Sequence, residues 1–85
     1  MTVKYYLLQQ YLTNLPTSQR DMTLSFIHIE RIINDKLPES ASKYRPWWGN
    51  EKEGTHSHAH AWMDAGWKVD TVDLSQKWVR FRREK

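Results

Sequence analysis

The apolar positions of this chain change period along its length, and the changes mark out its elements. Tyr5, Leu8, Leu12 and Leu15 fall at helical spacing and Pro16 follows them, which predicts a helix over 3–14. Thr17 to Asp21 are turn-formers, and Met22-Thr23-Leu24 then reads as a short strand running into Ser25, a favourable N-cap. Phe26, Ile29, Ile32 and Ile33 form the inner stripe of a second helix that stops near Asn34-Asp35. Pro38 suits the first turn of a short third helix, Glu39 to Tyr44, with Glu39 well placed against the helix dipole and Pro46 closing it. Gly49 to Gly54 reads as a loop, after which Thr55 can cap a fourth helix over 56–65 that turns Ala59, Trp62 and Met63 inward. Gly66 stands where a left-handed C-cap residue belongs. Residues 67–74 and 77–83, joined by Ser75-Gln76, read as an antiparallel hairpin. In its second strand Val79 and Phe81 share one face while Trp78, Arg80 and Arg82 share the other.

Helix, short strand, helix, helix, hairpin is the order of a winged helix-turn-helix domain. The expected fold is therefore a single α+β domain over 1–85, with the fourth helix in the recognition position and the C-terminal hairpin as the wing. The second and fourth helices are separated by about 20 residues where a compact helix-turn-helix has three or four. The third helix and Trp47-Trp48 must then be an insertion, and an unrelated α+β packing stays open.

Size limits what such a domain can do. A chain of 85 residues has room for one core and lies near the lower limit for unaided folding. It has no cysteine, which removes disulfides, thiolate zinc sites and cysteine nucleophiles. No apolar run approaches the roughly 20 residues of a membrane span, and the N-terminus lacks the apolar stretch of a signal peptide. A cytoplasmic protein with no membrane partner is expected. The mean hydropathy of −0.84 would suit disorder. Five Trp, four Tyr and two Phe nevertheless supply the large apolar area that disordered chains lack.

Charge changes the picture once it is located. The formal net charge is +3, but Lys77, Arg80, Arg82, Arg83 and Lys85 stand against Glu84 alone in the last nine residues, which leaves the rest slightly acidic. Such a tail can attract phosphate polymers, or can be a solvated strand whose charges serve solubility.

Leu37-Pro38-Glu39-Ser40-Ala41, Trp47-Trp48-Gly49-Asn50 and Ala61-Trp62-Met63-Asp64-Ala65-Gly66-Trp67 carry a resemblance. They are similar to the L-P-x-S-A, W-W-x-N and A-W-x-x-A-G-W motifs of a small prokaryotic and phage domain family of unknown function, which ends in a strand like Val79-Arg80-Phe81-Arg82-Arg83. The resemblance runs from about Thr23 onward and implies a fold unit occurring alone or attached to larger proteins, with no established activity. Family members often carry His-Ser-Gln-Ala-Arg-Ala-Trp where this chain has His56-Ser57-His58-Ala59-His60-Ala61-Trp62, so only the first of its histidines follows the family pattern.

His56, His60 and Asp64 repeat at one helical turn, a spacing that can hold a divalent ion, but no further ligand is evident and no cofactor is implied. The domain is expected to fold without metal, so a chelator should leave its thermal midpoint within a few degrees; a larger fall would make the histidine site structural. Ser57 beside His58 is a sequence neighbour and not a nucleophile with its base, and no enzyme is expected. In an extended Trp47-Trp48 segment one indole faces the core and its neighbour stays partly exposed beside Asn50, which suits stacking on a base or anchoring a protein. Lys43 and Arg45 can reach phosphates near the third helix N-terminus. Trp78, Arg80 and Arg82 are the most telling group, an aromatic ring among guanidinium groups with no folding reason to share a face.

These residues lead to a non-catalytic nucleic-acid-binding module, duplex DNA foremost, with a regulatory or accessory role. His56, Ser57, His58 and His60 would supply polar contacts near the groove, Lys77, Arg80, Arg82 and Arg83 would neutralise phosphates, and Lys43, Arg45, Trp48, Asn50 and Trp78 complete the candidate contacts. No arginine or glutamine placed to read bases is visible on the fourth helix, so no sequence specificity follows. The alternative is a protein-interaction module, a small regulator or inhibitor of a larger nuclease or defence protein, binding through exposed tryptophan and the basic strand. The oligomeric state stays open, a homodimer included.

Overall fold

The computed structural model describes residues 3–50 and 57–84. It is an α+β domain with α1 at Val3–Thr13, β1 at Asp21–Ser25, α2 at Phe26–Ile33, α3 at Glu39–Lys43, α4 at His60–Met63, β2 at Trp67–Asp73 and β3 at Trp78–Arg83. One-turn 3-10 helices cover Arg45–Trp48 and Ser57–Ala59. The three strands form an antiparallel sheet in the order β1-β3-β2, so the C-terminal strand lies in the middle.

Local chemistry explains most boundaries. The Ser25 hydroxyl accepts from the His28 N–H at 3.0 Å and starts α2. Asn34 ends it in the left-handed region at φ 57°. Gly66, at φ +87°, turns the chain from α4 into β2, a conformation that favours glycine. Lys4 on α1 reaches Asp35 beyond α2 at 3.1 Å, which ties the two helices together. The backbone N–H of Lys36 and then Lys4 hold the Asp35 carboxyl below its ordinary range.

Three expectations are corrected. Pro46 does not close α3: it opens the following 3-10 turn, where its fixed φ is pre-set for helical geometry. The fourth helix is shorter than 56–65, a 3-10 turn running into four α residues, while the Thr55 cap lies outside the described residues. The hairpin turn is Leu74 to Lys77 and not Ser75-Gln76 alone; Lys77 adopts φ 61°, and its N–H bonds the Asp73 carbonyl at 2.7 Å.

The core is a column of aromatic rings between the helices and the inner face of the sheet. Phe26 stacks on Trp48 with centroids 5.1 Å apart, Trp48 on Trp62 at 5.8 Å, and Trp62 tilts against Phe81 at 5.6 Å. The column thus links α2, the Arg45–Trp48 turn, α4 and β3. Leu8, Leu12, Leu24, Ile29, Ile33, Trp67 and Val79 complete the core, each almost wholly buried. The buried indole N–H groups are satisfied: Trp48 donates to the Ala41 carbonyl at 2.7 Å, Trp62 to Asn50 Oδ1 at 2.9 Å and Trp67 to the Leu12 carbonyl at 3.2 Å. The loop expected over 49–54 falls mostly outside the described residues.

Candidate interaction site

The outer face of the sheet is the side away from this column. Val79 and Phe81 are fully buried, as alternation along β3 requires, which turns Trp78, Arg80 and Arg82 outward together. Trp78 is half-buried there, in register with Ser25 on β1 and Asp73 on β2. Arg80 stands opposite Thr23 and Thr71, and Arg82 opposite Asp21 and Lys68.

A bulge then brings in a residue that the sequence reading missed. The register between β2 and β3 shifts between Val69 and Thr71, leaving Asp70 as the extra residue. Its carboxylate lies 3.4 Å from Arg80 Nε and 3.6 Å from an Arg82 terminal nitrogen, so one acid holds both guanidinium groups. Arg80 Nε is shut off from solvent and misaligned for a hydrogen bond, leaving its approach to Asp70 as an ion contact. At the end of the same face Lys68 pairs with Glu84 at 3.5 Å. The face therefore does have a folding account: it is a mixed-charge surface around a half-buried indole, and not a basic one. Replacing Arg80 and Arg82 together by Ala is expected to change stability by less than about 1 kcal/mol, because exposed ion pairs contribute little. Urea unfolding followed by tryptophan fluorescence checks this.

The other candidate residues sit elsewhere. Arg83 does not belong to the outer face: its guanidinium lies over the Trp67 ring at 4.5 Å and donates to the Gln19 and Pro16 carbonyls, each at 2.8 Å, fastening the segment after α1. Neither Trp47 nor Trp48 is left exposed, because the segment is a 3-10 turn and not extended; the two indoles meet edge to face, 4.7 Å apart, inside the core. Asn50 is likewise engaged, accepting from Trp62 Nε1 and the Val69 N–H and donating to the Val69 carbonyl at 3.0 Å. Arg45 donates to the Val72 carbonyl, and Lys43 pairs with Glu39 at 2.7 Å on an exposed helix surface.

His58 stacks flat on Trp47, with centroids 3.8 Å apart, and its Nε2 lies 2.6 Å from the Trp47 carbonyl. His60 faces Asp64 at 3.6 Å. His56 and the side chain of Ser57 lie outside the described residues, and no cluster of metal-ligating residues occurs among the described ones. Tyr5 packs against Trp47 and His58; burial raises its phenol pKa, with Lys4 opposing and Asp35 reinforcing the shift. Lys77 is exposed at the hairpin tip. The structure thus gathers Trp78, Arg80 and Arg82 with Asp70 on the outer face; Arg45 and Trp48 meet Asp70 only in a shallow pocket at the β2 edge, beside which Asn50 bonds Val69.

Residues 5–84 match the family described as Domain of unknown function (DUF7662). The chain belongs to this family. Its family segment spans all the described elements from the first turn of α1 to the end of β3. No curated protein and no solved structure matches the chain. Among the described residues no helix is long and apolar enough to cross a membrane.

Proposed function

We infer that this domain is a non-catalytic protein-interaction module, a small regulator or inhibitor that docks on a larger protein through the outer face of its sheet. The observation that carries this reading is the clamp of Asp70 on Arg80 and Arg82 beside half-buried Trp78. A phosphate ligand would have to compete with a carboxylate already in contact with both arginines. A protein surface can offer donors to Asp70 as well as acceptors to the arginines, where a phosphate has only acceptors, and tryptophan and arginine are the residues that most often anchor such interfaces. The scaffold is winged-helix-like: the order α1-β1-α2-α3-α4-β2-β3 and the sheet order β1-β3-β2 support that assignment.

The same scaffold keeps a second reading in view, in which the module binds duplex DNA with α4 toward the groove and exposed Lys77 at the wing tip. Against it, α4 has four residues, of which Ala61 and Trp62 are buried, and so offers little surface to a groove. A photo-crosslinking residue placed at Lys68, on the outer face, separates the two readings in cells. The expected product is a discrete protein adduct that disappears when Arg80 and Arg82 become Glu and is absent when the probe sits at Gln10 on α1. Adducts to nucleic acid, or the same protein adduct from Gln10, would contradict the proposal.

A further inference from the structure

The two edges of the sheet are treated differently. Hydrogen-bonded pairs of β1 and β3 can be placed from their ends, since the Arg83 N–H bonds the Arg20 carbonyl at 2.8 Å and the Phe26 N–H bonds the Lys77 carbonyl at 2.9 Å. With the register Met22 to Phe81 and Leu24 to Val79, alternation assigns Met22 and Leu24 to the β3 ladder. The backbone groups of Asp21, Thr23 and Ser25 then point away from the sheet. The same alternation on the far side leaves those of Val69 and Val72 pointing outward from β2, and there three of the four are closed. Asn50 bonds both the N–H and the carbonyl of Val69, and Arg45 bonds the carbonyl of Val72.

Among the described residues nothing comparable guards β1. Among the described residues no side chain bonds the Thr23 N–H or carbonyl, and the one local bond on this edge runs from the Gln19 amide to the Asp21 carbonyl at 3.1 Å, leaving that oxygen a second lone pair. The strand Asp-Met-Thr-Leu-Ser carries no lysine, proline or bulge, the usual devices that blunt an edge, and Asp21, Thr23 and Ser25 are all exposed.

We propose that the open edge of β1 is a docking site for a second copy of this chain, the two β1 strands pairing antiparallel about Thr23 into a continuous six-stranded sheet. Charge and geometry select that register. Centred on Thr23, the Thr23 N–H groups and carbonyls bond reciprocally, and each Asp21 faces a Ser25, whose N–H reaches the free lone pair of the Asp21 carbonyl. Moving the centre to Asp21 sets two carboxylates directly opposite each other, which is unfavourable. Moving it to Ser25 runs the two copies of α2, which begins at the next residue, into each other's path. Ile27, 63% exposed just past the strand, lies at the end that the second copy's approach would cover. The site is independent of the outer-face reading, because pairing at the edge leaves Trp78, Arg80 and Arg82 accessible on both copies.

The test is molar mass against concentration, by light scattering from about 1 µM to about 1 mM, joined to amide exchange in the same samples. The wild-type mass should climb from 10.3 kDa toward twice that value. Over the same range the Thr23 amide should become at least about tenfold slower to exchange, while the Val69 amide, capped in every copy, should stay unchanged. Thr23→Lys should hold the mass of one chain throughout, and so should Thr23→Pro, which removes only an outward N–H and is tolerated on an edge. A wild-type mass that stays at one chain at the highest concentration overturns the proposal. So does a dimer that survives in both variants, or one that forms with Thr23 exchange unaltered. If the variants do not fold, the exchange of Thr23 in the wild-type chain decides alone.

Discussion

Trp62→Ala should strip the fold of most of its stability. Trp62 is fully buried, sits between Trp48 and Phe81 in the aromatic column, and donates its indole N–H to Asn50. Truncating a buried tryptophan costs about 3–5 kcal/mol, and a small domain commonly has only about 5 kcal/mol in total. Circular dichroism melting checks this, with Trp62→Phe as the comparison. Phenylalanine keeps a ring in the column and loses the hydrogen bond, so it should melt cooperatively between wild type and Trp62→Ala. A Trp62→Ala protein that melts within a few degrees of wild type would contradict the column as the source of stability.

Asn50→Ala should be the second most damaging change, although Asn50 is exposed by area. Its side chain satisfies three groups at once, the Trp62 indole N–H and both backbone groups of Val69. Losing it strands a buried donor and uncovers the edge of β2. With about 1–3 kcal/mol for an unsatisfied buried polar group and less for the water-accessible pair, a total near 2–4 kcal/mol is expected from urea unfolding. Asn50→Asp retains the acceptor toward Trp62 and Val69 but not the donor, and should fall between the two. A loss below about 0.5 kcal/mol, the range of ordinary surface substitutions, would mean that water replaces the amide without cost.

Much of this architecture was legible in the order of residues. Ser25 before Phe26, Ile29 and Ile33 announced α2 and its cap, and Val79 with Phe81 announced the inner face of β3. Other features carried signals that competing patterns hid. Alternation from Val79 and Phe81 continues to Arg83, which places it on the inner side over Trp67, but reading the last residues as one charge patch grouped it with Arg80 and Arg82. Val69 and Val72 are three apart, and a regular strand cannot turn both inward; the bulge at Asp70 resolves that conflict and delivers the carboxylate that contacts both arginines. The partners of Asn50 had no local signal, since Val69 lies 19 residues away and only the tertiary fold brings them together. Trp47-Trp48 misled because an extended backbone was assumed, whereas Pro46 opens a 3-10 turn that packs both rings inside.

Arg80 and Arg82 lie against Asp70, and Arg83 donates to backbone carbonyls, and on these contacts rests the proposal that the surface takes a protein partner and not phosphate. Titration of the fluorescent domain with a random-sequence duplex at two salt concentrations tests it most directly. The account predicts no saturable binding up to about 100 µM even at the lower salt, the weak limit of ordinary non-specific DNA binders. Micromolar binding that falls by about a thousandfold between 50 and 200 mM salt, the mark of several phosphates neutralised at once, would contradict it.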